Sequence, residues 1–591
     1  MRRRHFFGGL AALPVTGCAS QIQSLSVPSS SPALQNATGW IREQLAKAGR
    51  GAVVRLNGGE YHFHADKALK RHLYISNNDP AENAIVFPVV AKDGLVIDGD
   101  GARLIFHGLV TPFALIGSRD ITVRNLTIDW AVPFHVEGDI LTVSSDGRTV
   151  ELNIPAEFSY RVSADGKFFF RGEGFEQEGI KNLLAFDRER RESVFQVRDE
   201  FVKWRDGSYR NNCKAEDLGE RRLRLTLTKP FQSRPEAGQR LLIMPPKRLA
   251  PAVFIADCAR IKLENVIIRH SGCMGLIAQM SRDIALTRCT VAPDPAANRY
   301  VSTTVDATHF VNCSGMIAID GCTFSNHIDD AVNVHGIYQR VLALQPDGKV
   351  LAERADHQQR GVETVRVGDE ITLADAREVN VYHRSKVHAA EYPDDRRVLL
   401  TLDTPPRSVR EGDVVNTVSR QAGVSLTNSS VARNRARGVL ISTEGAVTIR
   451  GNRFHTPGSA IRISGGVDHW YESGPTRSVL ITENIFDNCK YGIWGKAVLD
   501  VECVDATDRT ATKPFHGVVQ IVNNKFISLG SPLVNAYRAE RIAFTDNAIH
   551  RGSVYPIAES ERAPIIAQAV QNIDVRDNTV TGFEFRSWVD R

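Results

Sequence analysis

The chain has 591 residues, of which 42% are hydrophobic and 24% are charged, and its 73 Lys and Arg residues against 68 Asp and Glu residues give a net charge of +5. This apolar fraction excludes global disorder and supports a large core. The nearly balanced charge, with no long basic block, argues against a nucleic-acid groove, which needs positive charge concentrated on one face. No run of 18 apolar residues follows the N-terminal region, so the sequence predicts no membrane-spanning helix there.

Residues 1–17 are predicted to be an export signal. They have a basic start, a short apolar run and small residues at their end. Residues 3–7 (RRHFF) look like a twin-arginine core, and residues 15–18 (VTGC) resemble a bacterial lipobox ending at Cys18. An ordinary cleaved signal with an incidental cysteine is the alternative. We expect an exported bacterial lipoprotein of the periplasm or cell envelope, lipidated at Cys18 and touching the membrane only through that anchor.

A short strand–turn–strand pattern recurs along the rest of the chain, with a basic spacing of about 23 residues lengthened in places by loops. Eight of the turn positions are Cys289, Cys322, Ser429, Asn452, Asn484, Asn524, Asn547 and Asn578. Such a period is typical of a solenoid, and the alternation of apolar and polar residues in each segment indicates strands. Asparagine tolerates left-handed backbone and can hydrogen-bond to its neighbours, so we expect a ladder of stacked asparagines. The pattern predicts an all-β fold, a right-handed parallel β-helix. It disfavours a β-propeller, because each unit is about half as long as a blade.

Two long gaps interrupt the repeat, and both contain alternating strand-like runs such as residues 222–227 and 397–402. We interpret the gaps as two inserted antiparallel β-barrel or sandwich domains. The predicted organisation is β-helix coils over 18–134, a barrel over 135–250, central coils over 251–339, a second barrel over 340–420 and C-terminal coils over 421–591. The insertions could wall a cleft, bind carbohydrate or be structural elaboration, and the sequence does not choose between these roles.

The eight cysteines after Cys18 contain no C-x-x-C pair and no zinc-site spacing. Export would permit disulfides, but the spacing names no pairs. We interpret these cysteines as small buried side chains stacked in the repeat.

Three aspartates stand out in the central coils. Asp329 follows the turn position Cys322 by seven residues. If residues 292–301 form a ten-residue loop, Asp306 has the equivalent position one coil earlier. Asp306 and Asp329 should then lie about 4.8 Å apart along the axis, with Asp330 beside them.

Three carboxylates this close cannot all stay ionised cheaply, so at least one pKa should be raised. One proton donor and two anions suit inverting glycoside hydrolysis, in which the working carboxyl groups are usually about 6.5–9.5 Å apart. An acidic pair that caps a turn, or a cation site, is the alternative.

An Asp followed one coil later by an Asp-Asp pair on a β-helix resembles the polygalacturonase clan of inverting hydrolases. Residues 327–336 (HIDDAVNVHG), together with two barrel insertions, look more specifically like glycoside hydrolase family 110, whose members are exo-acting α-1,3-galactosidases, including enzymes that cleave the blood-group-B antigen. The resemblance implies that Asp329 is the general acid and that Asp306 and Asp330 share the general-base role. It implies inversion, no metal or cofactor, and galactose-terminated glycans, linear or blood-group-B type, as partners.

The chain departs from the polygalacturonase pattern. The Gly-His-Gly motif of those enzymes is not evident in the following coil at 437–442, and their Arg-Ile-Lys motif is at best Arg462-Ile463-Ser464. Because a pectin carboxylate would want fixed cations, this departure favours a neutral sugar.

Side chains near the acids are candidate sugar ligands: Asn333, His335, His309, His327 and Arg462. Asn333 and His335 follow Asp329 at even spacing and should share a strand face with it. These groups could instead satisfy one another or the backbone. Trp470 could stack on a sugar, although a loop tryptophan is weak support for that role.

Other functions remain open from the sequence. A polygalacturonase-like hydrolase of uronic-acid polysaccharide would show more cations around its cleft. A non-catalytic, glycan-binding β-helix would not need the acidic trio. A lyase or epimerase would want a Lys, Arg, His or Tyr base, often with calcium. The sequence does not give the oligomeric state.

Overall fold

The structure is a computed structural model that describes residues 35–203, 208, 210–503, 511–530, 532–556 and 563–591, with the backbone of strand Ser24–Leu25. Residues 1–17 and Cys18 lie outside the described residues, so the predicted signal and lipidation site have no structural account. Nearly all the regular structure is β.

Two long, almost wholly parallel sheets form the body of the molecule, which confirms the predicted parallel β-helix. The larger sheet has 22 strands: Ser24–Leu25, Val53–Arg55, Glu60–Phe63, Val96–Phe106, Arg119–Trp130, Ala259–Ile268, Arg282–Thr287, Thr290–Val291, Ser314–Asp320, Thr323–Ser325, Gly423–Thr427, Ser430–Ala432, Val447–Arg450, Arg453–His455, Ser478–Thr482, Ile485–Asp487, His516–Val522, Lys525–Ser528, Ala539–Thr545, Ala548–Arg551, Asn572–Arg576 and Thr579–Thr581. The second sheet has 14 strands: Leu69–Leu73, Ala81–Val90, Thr111–Ile116, Val253–Ala256, Leu276–Gln279, Thr308–Val311, Val332–Ile337, Val439–Ser442, Ile461–Ile463, Glu472–Ser473, Leu499–Val501, Val534–Tyr537, Ile565–Gln568 and Val589–Asp590.

The apolar residues of successive coils point inward and form one continuous core, as alternation in strands requires. At the turns, the predicted column of stacked side chains is present. The amide nitrogens Nδ2 of Asn452, Asn484, Asn524 and Asn547 each donate to the Oδ1 of the asparagine on the next coil, at 2.9–3.1 Å. Earlier in the column, Cys322 and Ser429 take the same place. The described cysteines are all free, and all but Cys213 are buried, as expected of stacked small side chains.

The two gaps in the repeat contain antiparallel insertions, also as predicted. The first lies between strands Arg119–Trp130 and Val253–Ala256. It holds an eight-stranded sheet (Val136–Val143, Thr149–Asn153, Asn182–Asp187, Glu192–Ser193, Glu200–Phe201, Cys213–Gly219, Arg222–Leu227 and Arg240–Met244) and a three-stranded sheet (Tyr160–Val162, Phe168–Gly172 and Phe175–Glu178). The second is a closed barrel of strands Gln339–Leu344, Val350–Glu353, Glu370–Ala374, Val381–Glu391, Arg397–Leu402 and Val414–Thr417. Each has its own apolar core.

Helix Thr38–Lys47 precedes the first coil, and Ile41 and Leu45 on its buried side belong to the core of the β-helix. Short 3-10 turns occur at Ala65–Lys67, His357–Gln359 and Val418–Arg420. Among the described residues, no helix has the length and apolar character needed to cross a membrane.

Candidate active site

The three aspartates meet at the N-terminal ends of two neighbouring parallel strands. Thr308 pairs with Val332, so Asp306, two residues earlier, lies opposite Asp330. The amide of Ala307 accordingly donates to the Asp330 carbonyl at 2.9 Å. The expected alignment of Asp306 with Asp329 is therefore wrong by one residue, because the insertion in the earlier coil is one residue shorter than expected.

The carboxylates form a tight trio, with one oxygen from each of them within 4.8 Å of the others. The Asp330 amide donates to Asp306 Oδ1 at 3.2 Å, which ties the two coils together. Asp306 and Asp330 are 3% and 1% exposed. The Asp329 side chain is 16% exposed and reaches a cavity. Asp329 is therefore the member of the trio that an incoming ligand meets first.

Three guanidinium groups surround the trio. Arg437 makes two bonds of 2.8 Å to the two oxygens of Asp330 and lies 3.7 Å from Asp329 Oδ1. Arg248 Nη2 lies 3.5 Å from Asp329 Oδ2, and Arg435 Nη1 lies 4.0 Å from Asp329 Oδ1. The sequence pattern did not single out these three arginines. The alternating arginines at 433, 435 and 437 were the one sequence signal that could have revealed Arg435 and Arg437. Arg437 occupies the register of Asp330 one coil later.

The surroundings separate the pKa values of the three acids. Burial, helped by the charge of Asp329, raises the pKa of Asp306 well above its ordinary value. Burial raises the pKa of Asp330 to about 7, although Arg437 opposes it. Burial also favours a higher pKa for Asp329, but the positive charges of Arg435, Arg437 and Arg248 together hold that pKa below its usual value. The expected raised pKa is thus present, and the surroundings favour protonation of the buried pair and a negative charge on Asp329.

Within the part of the chain that the structure describes, two groups of side chains bring metal-ligand atoms close together. In the acidic trio the required positive charge comes from guanidinium groups, so we do not interpret its carboxylates as metal ligands. In the other group, His64 Nδ1 and His107 Nδ1 lie 2.8 and 3.1 Å from the two oxygens of Glu173. Each of those atoms already has a hydrogen-bonding partner, and the group lies on the first coils and the first insertion.

The residues predicted to bind sugar lie in different surroundings. His309 and His335 are each 2% exposed and lie behind Asp306, with His309 Nδ1 2.5 Å from Asp306 Oδ2. His327 Nδ1 lies 2.9 Å from the Asp329 carbonyl oxygen, and its Nε2 has no partner. Asn333 pairs with His309 in the sheet, and its Oδ1 is also without a partner. Arg462 lies two coils further along, beside Asp500.

Asp329 opens into a cavity of about 340 Å³ between the β-helix and the first insertion. Its wall includes Lys181, Arg198, Lys247, Arg248, Arg435 and Trp494. Thr304 also lines it, and Thr304 Oγ1 is buried without a partner, as are His327 Nε2 and Asn333 Oδ1 nearby in sequence. Buried polar atoms normally have partners, so Thr304 Oγ1, at the cavity wall, is suited to a hydroxyl group of a ligand.

Asp199 of the first insertion hydrogen-bonds to two residues of this cavity wall. Asp199 accepts hydrogen bonds from Arg435 at 2.9–3.2 Å and from the Trp494 indole at 3.1 Å. Asn182 of the same insertion donates to Asp199 at 2.8 Å. The insertion therefore holds Arg435 beside Asp329.

A second cavity of about 290 Å³ shares Lys181, Lys247 and Arg248 with the first. It also includes Trp470, whose ring lies 5.3 Å from the Arg248 guanidinium carbon. The predicted aromatic residue thus lies next to the acidic site, in a place where a longer glycan could extend.

Family models described as GLAA-B beta-barrel domain I and GLAA-B beta-barrel domain II match residues 136–241 and 349–415, which fall within the two insertions. These domains, on a β-helix with a carboxyl trio at a cavity, identify the class of protein as a glycoside hydrolase. The chain is 34% identical to alpha-1,3-galactosidase A of Shewanella woodyi, over 99% of this chain and 96% of that protein. It belongs to the α-1,3-galactosidase family.

A second relative agrees with this assignment. Alpha-1,3-galactosidase B of Bacteroides thetaiotaomicron is 26% identical over 93% of this chain and 89% of its own length. Among solved structures, the catalytic unit of a GH87 alpha-1,3-glucanase from Streptomyces thermodiastaticus is 10% identical, with a TM-score of 0.39 over 98% of this chain and 71% of that chain. That value marks only a distant likeness.

Proposed function

We propose that the protein removes terminal α-1,3-linked galactose from oligosaccharides or glycoconjugates. The observation that carries this proposal is the 34% identity to an alpha-1,3-galactosidase over nearly the whole of both chains. The chemistry of the site supports it, because a carboxyl trio that holds a proton beside a cavity suits acid–base hydrolysis of a glycosidic bond.

Within the trio, Asp329 is proposed as the general acid because it is the member at the cavity wall. It is ionised in the free protein, so it must receive a proton as the galactoside displaces water. Asp330, whose pKa is raised to about 7 by burial, is the neighbour able to pass that proton on. Protonated Asp329 then protonates the glycosidic oxygen, and the ionised partner accepts a proton from the attacking water.

We propose that the reaction inverts the anomeric configuration. The trio is more compact than the separation of about 6.5–9.5 Å that is usual for inverting enzymes. A retaining enzyme, however, needs a nucleophilic carboxylate that touches the anomeric carbon. Asp306 and Asp330, at 3% and 1% exposed, are better placed to reach an intervening water than a sugar carbon.

The test is proton NMR of digests of Gal-α-1,3-Gal and of the fucose-branched B trisaccharide, read within minutes. We expect β-galactose to appear first, and the faster substrate identifies the preferred glycan. Asp329→Asn should abolish release while the protein stays folded, and Asp347→Asn, an exposed carboxylate of the second insertion, is the matched control. No galactose from either sugar, or α-galactose first, would contradict the proposal.

A galacturonide hydrolase is the second candidate, because Lys181, Arg198 and Lys247 at the cavity wall are cations that could bind a uronic-acid carboxylate. Galacturonide oligosaccharides in the same assay test it. Release of galacturonic acid without release of galactose would favour this candidate.

We also propose export and lipidation at Cys18. The support is the basic, apolar and lipobox-like order of the first 18 residues. Labelling with a radioactive fatty acid in a bacterial host should mark the wild-type chain and not Cys18→Ala. Equal labelling of both chains, or of neither, would contradict lipidation at this residue.

A further inference from the structure

A chain of hydrogen bonds runs from Asp306 away from the cavity. His309 Nδ1 lies 2.5 Å from Asp306 Oδ2, and His309 Nε2 lies 2.8 Å from His335 Nε2. His335 Nδ1 lies 2.7 Å from the carbonyl oxygen of Gly336. Both imidazoles are 2% exposed, so water does not compete for these contacts.

The direction of this chain can be worked out from its far end. A carbonyl oxygen only accepts, so His335 Nδ1 must carry a proton and donate it to Gly336. A neutral His335 then has a lone pair on Nε2, and His309 Nε2 must donate to it. A neutral His309 consequently has a lone pair on Nδ1, so the proton in the short contact with Asp306 belongs to Asp306 Oδ2.

The surroundings agree with neutral imidazoles. Burial lowers the pKa of His309 to about 3 and that of His335 to about 4, and Arg248 acts in the same direction on His309. The charged neighbours of Asp306 are Asp329, Arg248 and Arg437. Asp330 donates its amide to Asp306 Oδ1, and Cys273 also lies close by. Glu472 faces His335 Nε2 at 3.8 Å, beyond hydrogen-bonding distance.

We infer that His309 and His335 are positioning residues that keep Asp306 as a neutral carboxylic acid, with its proton on Oδ2, and so leave Asp330 as the carboxylate that accepts the proton of the attacking water. This assignment rests on the proposed hydrolysis, in which Asp306 and Asp330 were expected to share the base role. It also accounts for the close packing of the trio, since Asp306 then needs no counter-charge and Asp330 can still pass its own proton to Asp329. Arg437 supplies the counter-charge to Asp330, and Arg248 and Arg435 supply it to Asp329.

The first test needs no substrate. In protein labelled with ¹⁵N-histidine, two-dimensional NMR at neutral pH should show His335 protonated at Nδ1 only and His309 at Nε2 only. His309→Gln and His335→Gln assign the signals. A His309 imidazolium, or a His309 protonated at Nδ1, would overturn the inference whether or not the protein cleaves galactosides.

The second test compares two substitutions of the same residue. The Gln side chain in His335→Gln can still accept from His309 and donate to Gly336, whereas His335→Leu can do neither. In His335→Leu, His309 is free to turn its proton toward Asp306, so Asp306 ionises more readily. The active form has a neutral Asp306 and is lost as pH rises through the Asp306 pKa, so the basic limb of the kcat profile should move to lower pH by about one unit.

His335→Gln should keep the basic limb near its wild-type position, and KM should change little in either variant. Thermal unfolding shows whether both proteins fold. If the two variants lose kcat equally and keep the wild-type limb, His335 has only a structural role and the inference is wrong.

Discussion

Arg437 occupies the position on its coil that Asp330 occupies one coil earlier, and it binds both oxygens of that carboxylate. A buried acid with a two-bond guanidinium partner has a defined orientation as well as a lowered cost of ionisation. This pairing is what allows Asp330 to titrate near neutral pH while almost fully buried.

Arg437→Lys should impair catalysis through this pairing. A lysine keeps the charge but cannot form two parallel bonds, so the pKa of Asp330 should rise. Because the proposed base works ionised, the acidic limb of kcat should move to higher pH, with kcat at neutral pH falling about tenfold. The measurement is a pH profile, with Arg433→Lys at a neighbouring exposed arginine as the control. An unmoved acidic limb would contradict the role given to Arg437.

Asp306→Asn should stabilise the fold at high pH while impairing the enzyme. The asparagine amide can donate to His309 and accept from the Asp330 amide, so the local bonds survive. The raised folded-state pKa of Asp306 contributes stability that is complete below the unfolded value of about 3.9 and is lost as pH rises. The variant lacks this loss, so its Tm advantage over wild type should be near zero at pH 4 and grow toward pH 8. Asp347→Asn should show no such growth, and a difference independent of pH would count against a neutral Asp306.

At the scale of residues, the sequence predicted the three aspartates but not the arginines that balance their charge. Asp306, Asp329 and Asp330 form a short recognisable motif on adjacent coils. Arg437 is aligned with them only after the second insertion, and Arg248 stands at the end of the first. The distance of these arginines from the aspartates depends on how the chain returns from each insertion to the β-helix, and no local sequence pattern encodes that return.

At the scale of elements, the asparagine column supports the turns of the later coils. Asn484 accepts from both the backbone and side-chain amides of Asn452 at 2.9 Å, and it donates to the Ile449 carbonyl and to Asn524. Each internal member therefore satisfies groups on the coils before and after it. The spacing of the repeat predicted this column correctly, because each turn recurs at the same place in the strand pattern.

Asn484→Ala should cost about 3 kcal/mol in the free energy of unfolding, because it leaves buried amides of Asn452 without an acceptor. Asn578→Ala, at the half-buried last step of the column, should cost about 1 kcal/mol because water can replace the lost bonds. Denaturant unfolding measures both values. Equal losses would mean that the column does not act through burial.

At the scale of the whole molecule, the first insertion is part of the active-site wall. Asp199 of this insertion accepts hydrogen bonds from Arg435 and Trp494. The insertion also contacts a later coil, where Glu192 lies 2.9 Å from His455. The sequence predicted that two insertions exist but left open whether they wall a cleft. Only the docking of Asp199 onto Arg435, 236 positions later in the chain, decides this for the first one.

Asp199→Asn should therefore reduce kcat/KM by about tenfold, because Arg435 and the cavity wall lose their fixed positions. Glu192→Gln is the matched control, since Glu192 joins the same insertion to His455 and does not line the cavity. It should lower Tm and leave kcat/KM unchanged. If the two variants lose kcat/KM equally, the insertion supports the site only through general stability.

Helix Thr38–Lys47 has a consequence for assembly. A stack of parallel strands is a template that another copy of the chain could extend, in the way that a fibre grows by addition at its tip. At the first coil, strand Ser24–Leu25 pairs with Val53–Arg55, and the helix packs Ile41 and Leu45 over the end of the core. Ten residues of helix therefore cover apolar core that would otherwise lie open at this end of the stack.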